Sequence, residues 1–208
     1  MIIDEAMQNT SKLKMIVKAK QTKSTTKDNI VLTYLEYNQL KNLYRQGWLK
    51  KQIPINKCES VAEHSFSVAL LSLFIASQYF PELDTSKVVT MALLHEFGEI
   101  YAGDITPHDK IDHNKKALLE RNSVEKVLLK LRNGRTYTRI WEEYERGESN
   151  EAVFVKQMDL LEMGMQAQVY AASGYKNMEE FIEYTQKRLN SPKLQKILTN
   201  INKSIKKN

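Results

Sequence analysis

A helical repeat of apolar residues runs through nearly the whole chain from Ile30 onward. Only four of the 208 residues are proline, and no alternating apolar–polar pattern is long enough to predict a β-strand. The most apolar segment, residues 61–80, is apolar on most of its faces, which predicts a central buried helix. A chain of this length fits one domain with a substantial core. The sequence therefore predicts an all-α fold, a single compact multi-helix bundle.

The start of this central helix is marked by a capping box. The Ser60 hydroxyl can accept a hydrogen bond from the amide of Glu63, while the Glu63 side chain can reach back to the amide of Ser60. Pro81 is expected to stop the helix just beyond Phe80.

Capping and breaking residues divide the rest of the chain into further helices. A second buried helix is expected to begin at Asp84 or Thr85, to continue to about Tyr101 and to end at Gly103. An extended connection is expected around residues 46–54, and a polar loop at 104–113. The remaining predicted helices occupy residues 31–45, 114–132, 136–146, 150–172, 177–189 and 192–205, with a short one near 13–17.

The positive charge of the chain is concentrated at its two ends. The net charge is +6, but residues 1–30 hold six lysines against three acids, and residues 191–208 hold five lysines and no acid. Residues 31–190 keep 20 basic and 22 acidic residues, so the body is slightly acidic. Because a basic stripe on the body is missing, a nucleic-acid partner is not expected.

Several features predict a cytoplasmic protein without a membrane span. No uninterrupted apolar run reaches the roughly 18 residues that cross a bilayer. The N-terminus carries Asp4 and Glu5 and has no long apolar block, which is untypical of a secretory signal. The single cysteine, Cys58, cannot form an internal disulfide.

Metal-capable residues occur at three separated points of these apolar helices. They are His64, the pair His95-Glu96, and Asp159. Glu99 follows His95 by four residues, so a helix would place both on one face. A buried polar group is costly unless something compensates for it, and a divalent cation held by two imidazoles and two carboxylates would do so. Each residue alone has a simpler explanation, as a hydrogen-bonded core histidine, a solvated acid or a helix cap.

The chain resembles the HD-domain phosphohydrolases, and within them the 5′-deoxynucleotidase branch. The similarity covers roughly residues 32–190, which makes 30–190 the HD domain, 1–29 a flexible Lys-rich extension and 191–208 a basic C-terminal helix or tail. It rests on six ordered blocks: LKNLYRQGW (40–48), ESVAEHS (59–65), LHEFGE (94–99), GDITP (103–107), WEEYE (141–145) and FVKQMD (154–159).

The resemblance implies a divalent-metal enzyme that removes the 5′-phosphate of deoxyribonucleoside monophosphates, and it also implies a homodimer. It places Glu99 as the acid that acts on the attacking water, with Asp104 near the water and the sugar. Arg45 takes the place of the phosphate-binding arginine, and Trp48 that of a tryptophan beside the sugar. The implied metal ligands are His64, His95, Glu96 and Asp159, where the family name expects Asp rather than Glu at the third.

Three points remain open at the level of sequence. The ligand set suits Mn, Co, Mg, Fe, Ni or Zn. The substrate could be another nucleotide, such as a triphosphate, an alarmone or a cyclic dinucleotide. Because Glu96 departs from the family pattern, the chain could also be a catalytically degenerate HD protein that only binds a nucleotide.

Overall fold

The computed structural model describes residues 26–106, 109 and 111–205, and within these residues it is all-α, as predicted. The predicted helix near residues 13–17 lies outside the described residues. The helices are α1 (Asn29–Tyr37), a 3₁₀ turn (Asn38–Asn42), α2 (Gln46–Lys50), α3 (Val61–Tyr79), α4 (Thr85–Leu94), α5 (Glu99–Ala102), α6 (His113–Leu128), α7 (Gly134–Arg146), α8 (Asn150–Ala172), α9 (Glu179–Arg188) and α10 (Pro192–Ser204).

Helix α3 is the central helix of the bundle and begins with the predicted capping box. The amide of Glu63 donates to the Ser60 hydroxyl over 3.2 Å, and the amide of Ser60 donates to the Glu63 carboxylate over 2.6 Å. The helix packs against α4 and α8. Its buried face joins the main apolar core through Val68, Ala76 and their neighbours. The cap therefore fixes the first turn of the helix that carries His64.

By length and composition alone, α3 is long and apolar enough to cross a membrane, and within the described residues it is the one helix that is. Serines interrupt its apolar residues, so it contains no uninterrupted apolar run of that length. This is weak evidence for a membrane span, since core helices of globular domains pass the same test. In this fold α3 is the helix around which α4 and α8 pack.

The second buried helix is not continuous to Tyr101, and that prediction was wrong. Helix α4 ends at Leu94, residues 95–98 form a turn, and α5 begins at Glu99. The Trp141 indole donates to the carbonyl oxygen of His95 over 3.2 Å. In a continuous helix this carbonyl would accept from the amide of Glu99, which instead donates to Glu96 over 3.0 Å. A tertiary hydrogen bond thus replaces a helical one.

Other boundaries also differ from the sequence expectation. Residues 46–50, expected in an extended connection, form the short helix α2. The first predicted helix ends at Tyr37 and continues as a 3₁₀ turn. Helix α6 stops at Leu128 instead of 132, and α7 begins at Gly134 instead of 136.

An isolated antiparallel bridge joins Tyr44 to Ser60. The amide of Arg45 donates to the carbonyl of Glu59 over 3.2 Å, and the amide of Val61 donates to the carbonyl of Leu43 over 2.7 Å. This bridge holds the start of α2 beside the start of α3. Farther along the chain, α10 contributes Leu194 and Leu198 to the main core.

Candidate metal centre

The separated metal-capable residues meet at one point of the bundle. His64 lies in the first turn of α3, His95 and Glu96 lie in the turn after α4, and Asp159 lies within α8. One ligand atom from each of these four residues lies within 4.8 Å of the others. The structure therefore brings together the four residues that sequence spacing alone could not connect.

The two imidazoles present the same nitrogen to this point. The Nδ1 atom of His64 lies 2.7 Å from a Glu162 carboxylate oxygen, and that of His95 lies 2.7 Å from the carbonyl oxygen of Ala92. Both acceptors require a proton on Nδ1, so in the neutral imidazole the lone pair is on Nε2. Both Nε2 atoms are buried and make no hydrogen bond within the described part of the chain.

Carboxylate oxygens surround these two nitrogens. Glu96 Oε1 lies 3.6 Å from Nε2 of His64 and 3.5 Å from Nε2 of His95. Asp159 Oδ1 lies 3.1 Å from Nε2 of His64. Two imidazole nitrogens and two carboxylates form a donor set that suits a divalent transition metal. Unpaired buried nitrogens and this donor set fit a metal ion.

The electrostatics of the cluster favour a cation. Burial and Arg45 lower the pKa of His64, but Asp159 and Glu162 outweigh them and raise it to about 10. Burial lowers the pKa of His95. Although burial raises the pKa of Asp159, its contacts with His64 bring it below the ordinary value. The carboxylates thus favour a positive charge at this point. A second proton on His64 supplies that charge, and a bound metal ion would replace this proton on Nε2.

Arg45 lies against the same cluster from the side of α2. Its Nη1 atom donates to Glu96 Oε1 over 3.0 Å, and both side chains are largely buried. Burial raises the pKa of Glu96, but His95 and Arg45 outweigh it, so the pKa is lowered and the carboxylate is ionised. Arg45 therefore supplies a permanent positive charge beside the candidate ligands.

Glu99 and Asp104 line a cavity beside the cluster, together with Arg45. Glu99 is 5% exposed, and its Oε2 atom makes no hydrogen bond within the described residues. Burial, together with the nearby Glu96, raises the pKa of Glu99 well above its usual range. Asp104 accepts a hydrogen bond from the amide of Gln46 over 2.6 Å, which ties it to the first turn of α2.

Trp48 forms part of the cavity wall and is only 2% exposed. Its indole Nε1 donates to Glu59 Oε1 over 2.6 Å. Its ring packs at 4.5 Å from the ring of Phe181 and at 5.3 Å from that of Tyr170, measured between centroids. The tryptophan is thus fixed on several sides.

The cavity, which His95, Glu96 and Asp159 also line, has a volume of about 580 Å³, within the range of small-molecule sites. Four lysines line it, namely Lys50, Lys51, Lys116 and Lys156. Phe181 and Tyr184 add aromatic surface on the side of α9. A cavity that combines cations, carboxylates and aromatic rings suits a phosphorylated ligand with a flat ring system.

Three residues that contact the candidate ligands were not predicted from the sequence, namely Glu162, Trp141 and Tyr144. Besides Glu162 and Trp141, the Tyr144 hydroxyl lies 3.4 Å from Asp159 Oδ2. Glu162 follows Asp159 by three residues in an apolar helix, so it shares its face and could have been found from this spacing. Trp141 and Tyr144 share a face of α7 in the same way and lie in one of the blocks that carry the family resemblance.

A family model described as an HD domain matches residues 37–202. The chain belongs to the HD domain family. The resemblance seen in the sequence blocks is thereby confirmed, and with it the expected all-α architecture. This HD domain is 31% identical over 175 residues to the 5′-deoxynucleotidase HDDC2 of Dictyostelium discoideum, covering 76% of this chain and 91% of the relative. It is 30% identical over 167 residues to the human HDDC2, covering 78% and 79%.

Solved structures agree with this family assignment. A protein from Pyrococcus furiosus matches the HD domain with a TM-score of 0.71 and 29% identity, over 83% of this chain and 99% of that one. The PH0347 protein of Pyrococcus horikoshii matches with a TM-score of 0.69 and 31% identity, over 83% and 98%. An HD domain implies a divalent metal, and the four-residue cluster is where this chain could hold it.

Proposed function

We propose that this HD-domain protein is a metal-dependent 5′-deoxynucleotidase. The observation that carries the proposal is the convergence of His64, His95, Glu96 and Asp159 beside a cavity that Arg45 also lines. The relatives named 5′-deoxynucleotidases support the substrate class. The reaction adds water to phosphorus, breaks the bond between phosphorus and the 5′ oxygen, and releases a deoxynucleoside and inorganic phosphate.

The chain's own residues account for most of what this reaction needs. A bound divalent cation would polarise a phosphoryl oxygen and lower the pKa of water. Arg45 would bind the phosphate dianion with two N–H groups of its rigid fork. The Glu99 carboxylate would accept the proton of the attacking water, a role that its unpaired oxygen supports. Asp104 and Trp48 then form the wall against the sugar.

The donor set restricts the metal to a class of ions but does not select one ion within it. Two imidazoles and two carboxylates suit Mn, Fe, Co, Ni and Zn, and Mg less well because it prefers oxygen ligands. We propose Mn or Co as the first ions to test, since both accept mixed nitrogen and oxygen ligands. A metal titration of the apoprotein, followed by activity with each ion, ranks them.

The deciding experiment is phosphate release from a panel of nucleotides in the presence of Mn²⁺, Co²⁺ or Mg²⁺. The panel contains matched deoxy- and ribonucleoside monophosphates, a nucleoside triphosphate and a cyclic dinucleotide. We expect release from deoxynucleoside monophosphates, dependent on added metal and abolished by a chelator. Release from a triphosphate or cyclic dinucleotide alone would move the substrate within the family. Metal binding without any release would identify a degenerate HD protein.

We propose a homodimer that forms through the outer face of α3. Phe66 and Phe74 are 60% and 55% exposed, and Leu73 between them is also exposed. Positions i, i+7 and i+8 lie on one side of a helix, so these side chains form an apolar stripe on the surface. A second copy of the chain would cover this stripe, in line with the dimer that the family resemblance implies.

Light scattering on the purified protein tests the dimer. We expect a dimer for the wild type. We expect a monomer for the double variant F66E/F74E, because each copy would have to bury two new carboxylates in the apolar interface. As a matched control, L118E places a charge at another exposed leucine, on α6, and should leave the dimer intact. A monomeric wild type would contradict the proposal.

A cytoplasmic location, proposed from the single buried Cys58, is tested by cell fractionation.

A further inference from the structure

We propose that Glu162 is a positioning residue of the metal centre and acts through His64. Neither the sequence blocks nor the names of the relatives assign this residue a role. The inference rests on the proposed metal centre, because it concerns how one of the four candidate ligands is held.

The contact between Glu162 and His64 is buried and short. A Glu162 oxygen lies 2.7 Å from Nδ1 of His64, and the two side chains are 5% and 0% exposed. Glu162 lies one helical turn beyond Asp159 on α8, so one helix face supplies both a candidate ligand and the partner of another. Helix α8 thereby contacts both ring nitrogens of His64.

This contact determines which nitrogen of His64 can bind a metal. A carboxylate only accepts hydrogen bonds, so the proton of the neutral imidazole stays on Nδ1. The lone pair is then on Nε2, the nitrogen that lies 3.1 Å from Asp159 Oδ1. A partner of this kind also fixes the plane of the ring and increases the basicity of the ligating nitrogen.

Glu59 lies close to the contact between Glu162 and His64. One oxygen from Glu59, one from Glu162 and a ring nitrogen of His64 lie within 4.8 Å of one another. The Glu59 carboxylate is itself held by the indole of Trp48. Its backbone amide donates to the hydroxyl of Tyr170 over 3.0 Å. A second carboxylate that is held by other partners thus lies close to the contact between Glu162 and His64.

The test compares two substitutions at this position by calorimetric titration of the apoproteins with Mn²⁺. E162M removes the acceptor at similar volume, while E162Q keeps a neutral acceptor for Nδ1–H. We expect E162M to weaken Mn²⁺ binding by about 10–100-fold, the range found when such partners are removed. E162Q should regain part of this loss, because it restores the hydrogen bond without the charge. The visible spectrum of the Co²⁺ form should shift in E162M.

The matched control is Q168M on the same helix. Gln168 is a buried polar residue whose amide donates to the carbonyl of Leu198 over 2.9 Å, nine residues and about 13 Å along α8 from Asp159. We expect Q168M to bind Mn²⁺ as the wild type does. Circular dichroism checks that each variant is folded, and if E162M is unfolded the comparison of E162Q with wild type replaces it.

The outcomes separate this inference from the proposed function. Equal Mn²⁺ affinity and an unchanged Co²⁺ spectrum in folded E162M, or in E162Q where E162M does not fold, would overturn the role of Glu162 and leave the enzyme proposal intact. A loss of affinity of the same size in Q168M would also overturn it, because the effect would then belong to the helix as a whole. A wild-type protein that binds no divalent metal would overturn both.

Discussion

The Arg45 guanidinium and the Glu96 carboxylate form a 3.0 Å ion pair at the edge of the candidate metal centre. The Glu96 oxygen in this pair is also the one that lies within 3.6 Å of Nε2 in both His64 and His95. A cation held by these four residues would therefore compete with Arg45 for this carboxylate. Binding of the metal would weaken the pair and leave Arg45 free to contact a phosphate.

The Glu96→Asp variant tests whether the metal ion and Arg45 compete for the carboxylate of residue 96. The shorter side chain withdraws the carboxylate by one carbon–carbon bond, roughly 1.5 Å, from the guanidinium. Loss of a partly buried ion pair of about 1 kcal/mol would favour phosphate binding by Arg45 about fivefold. We expect a lower KM or a higher turnover in steady-state assays, together with a shifted Mn²⁺ affinity. Glu145→Asp, at another glutamate lining the cavity, is the control. If neither activity nor metal affinity changes in Glu96→Asp, residue 96 is not a ligand.

Glu99→Gln should separate catalysis from metal binding. The amide cannot accept the proton of water, so we expect kcat to fall by about 10²–10³-fold. Mn²⁺ affinity should change little, because Glu99 is outside the four-residue cluster. Glu120→Gln is a suitable comparison, since Glu120 lines the same cavity and burial raises its pKa to about 7. Turnover that falls equally in both variants would remove the specific role of Glu99.

Arg45→Lys should impair substrate binding more than metal binding. Lysine keeps the charge but loses the planar pair of donors. We expect kcat/KM for a deoxynucleoside monophosphate to fall by about 10–100-fold, in line with the 1.5–3 kcal/mol of a charged hydrogen bond. Lys51→Arg adds a guanidinium at another cation of the cavity and should leave kcat/KM nearly unchanged. An unaltered kcat/KM in Arg45→Lys would assign the phosphate contact to a different residue.

Lys87 links the helices α4, α7 and α8 at a point outside the cavity. Its removal should therefore affect stability and leave activity unchanged. Its ammonium lies 2.6 Å from Glu143 on α7 and 3.3 Å from Glu151 on α8. We expect Lys87→Met to lower the free energy of unfolding by about 1 kcal/mol at neutral pH, measured by urea denaturation. Lys115→Met, at an exposed lysine of α6, should be neutral.

The pH dependence of this difference has a defined sign. Burial raises the pKa of Glu143 and Glu151, but their hydrogen bonds outweigh it, so both are lowered from 4.5. The hydrogen bond to Glu143 raises the pKa of Lys87 from 10.5. The stabilisation is therefore present between about pH 5 and 10. It is lost as pH falls through the lowered carboxyl pKa values or rises through that of Lys87. A difference between wild type and Lys87→Met that persists at pH 2 would contradict this origin.

The fold was predictable where a helix carries its own signals. The capping box at Ser60 and the aspartate at 84 each mark a helix start that the structure confirms. The break in the helix at residues 95–98 was not predictable, because it depends on the indole of Trp141, a residue 46 positions away. Local patterns cannot include a donor that arrives from another helix.

The candidate site was predictable as a set of residues but not as an arrangement. His64, His95, Glu96 and Asp159 stand out in the sequence because each is polar within an apolar helical pattern. Their convergence depends on the packing of α3, α4 and α8, which the sequence does not encode in any single segment. The ion pair between Arg45 and Glu96 was missed for the same reason.

The four candidate ligands also have a consequence for the folding of the chain. They join the first turn of one helix to a turn and a second helix that lie far along the sequence, so an ion at this point would close large loops as a covalent crosslink does. Such a link restricts the unfolded chain and binds only the folded one, so metal in excess should raise the melting temperature. In a cell that is short of the metal, the amount of this protein would then fall along with its activity.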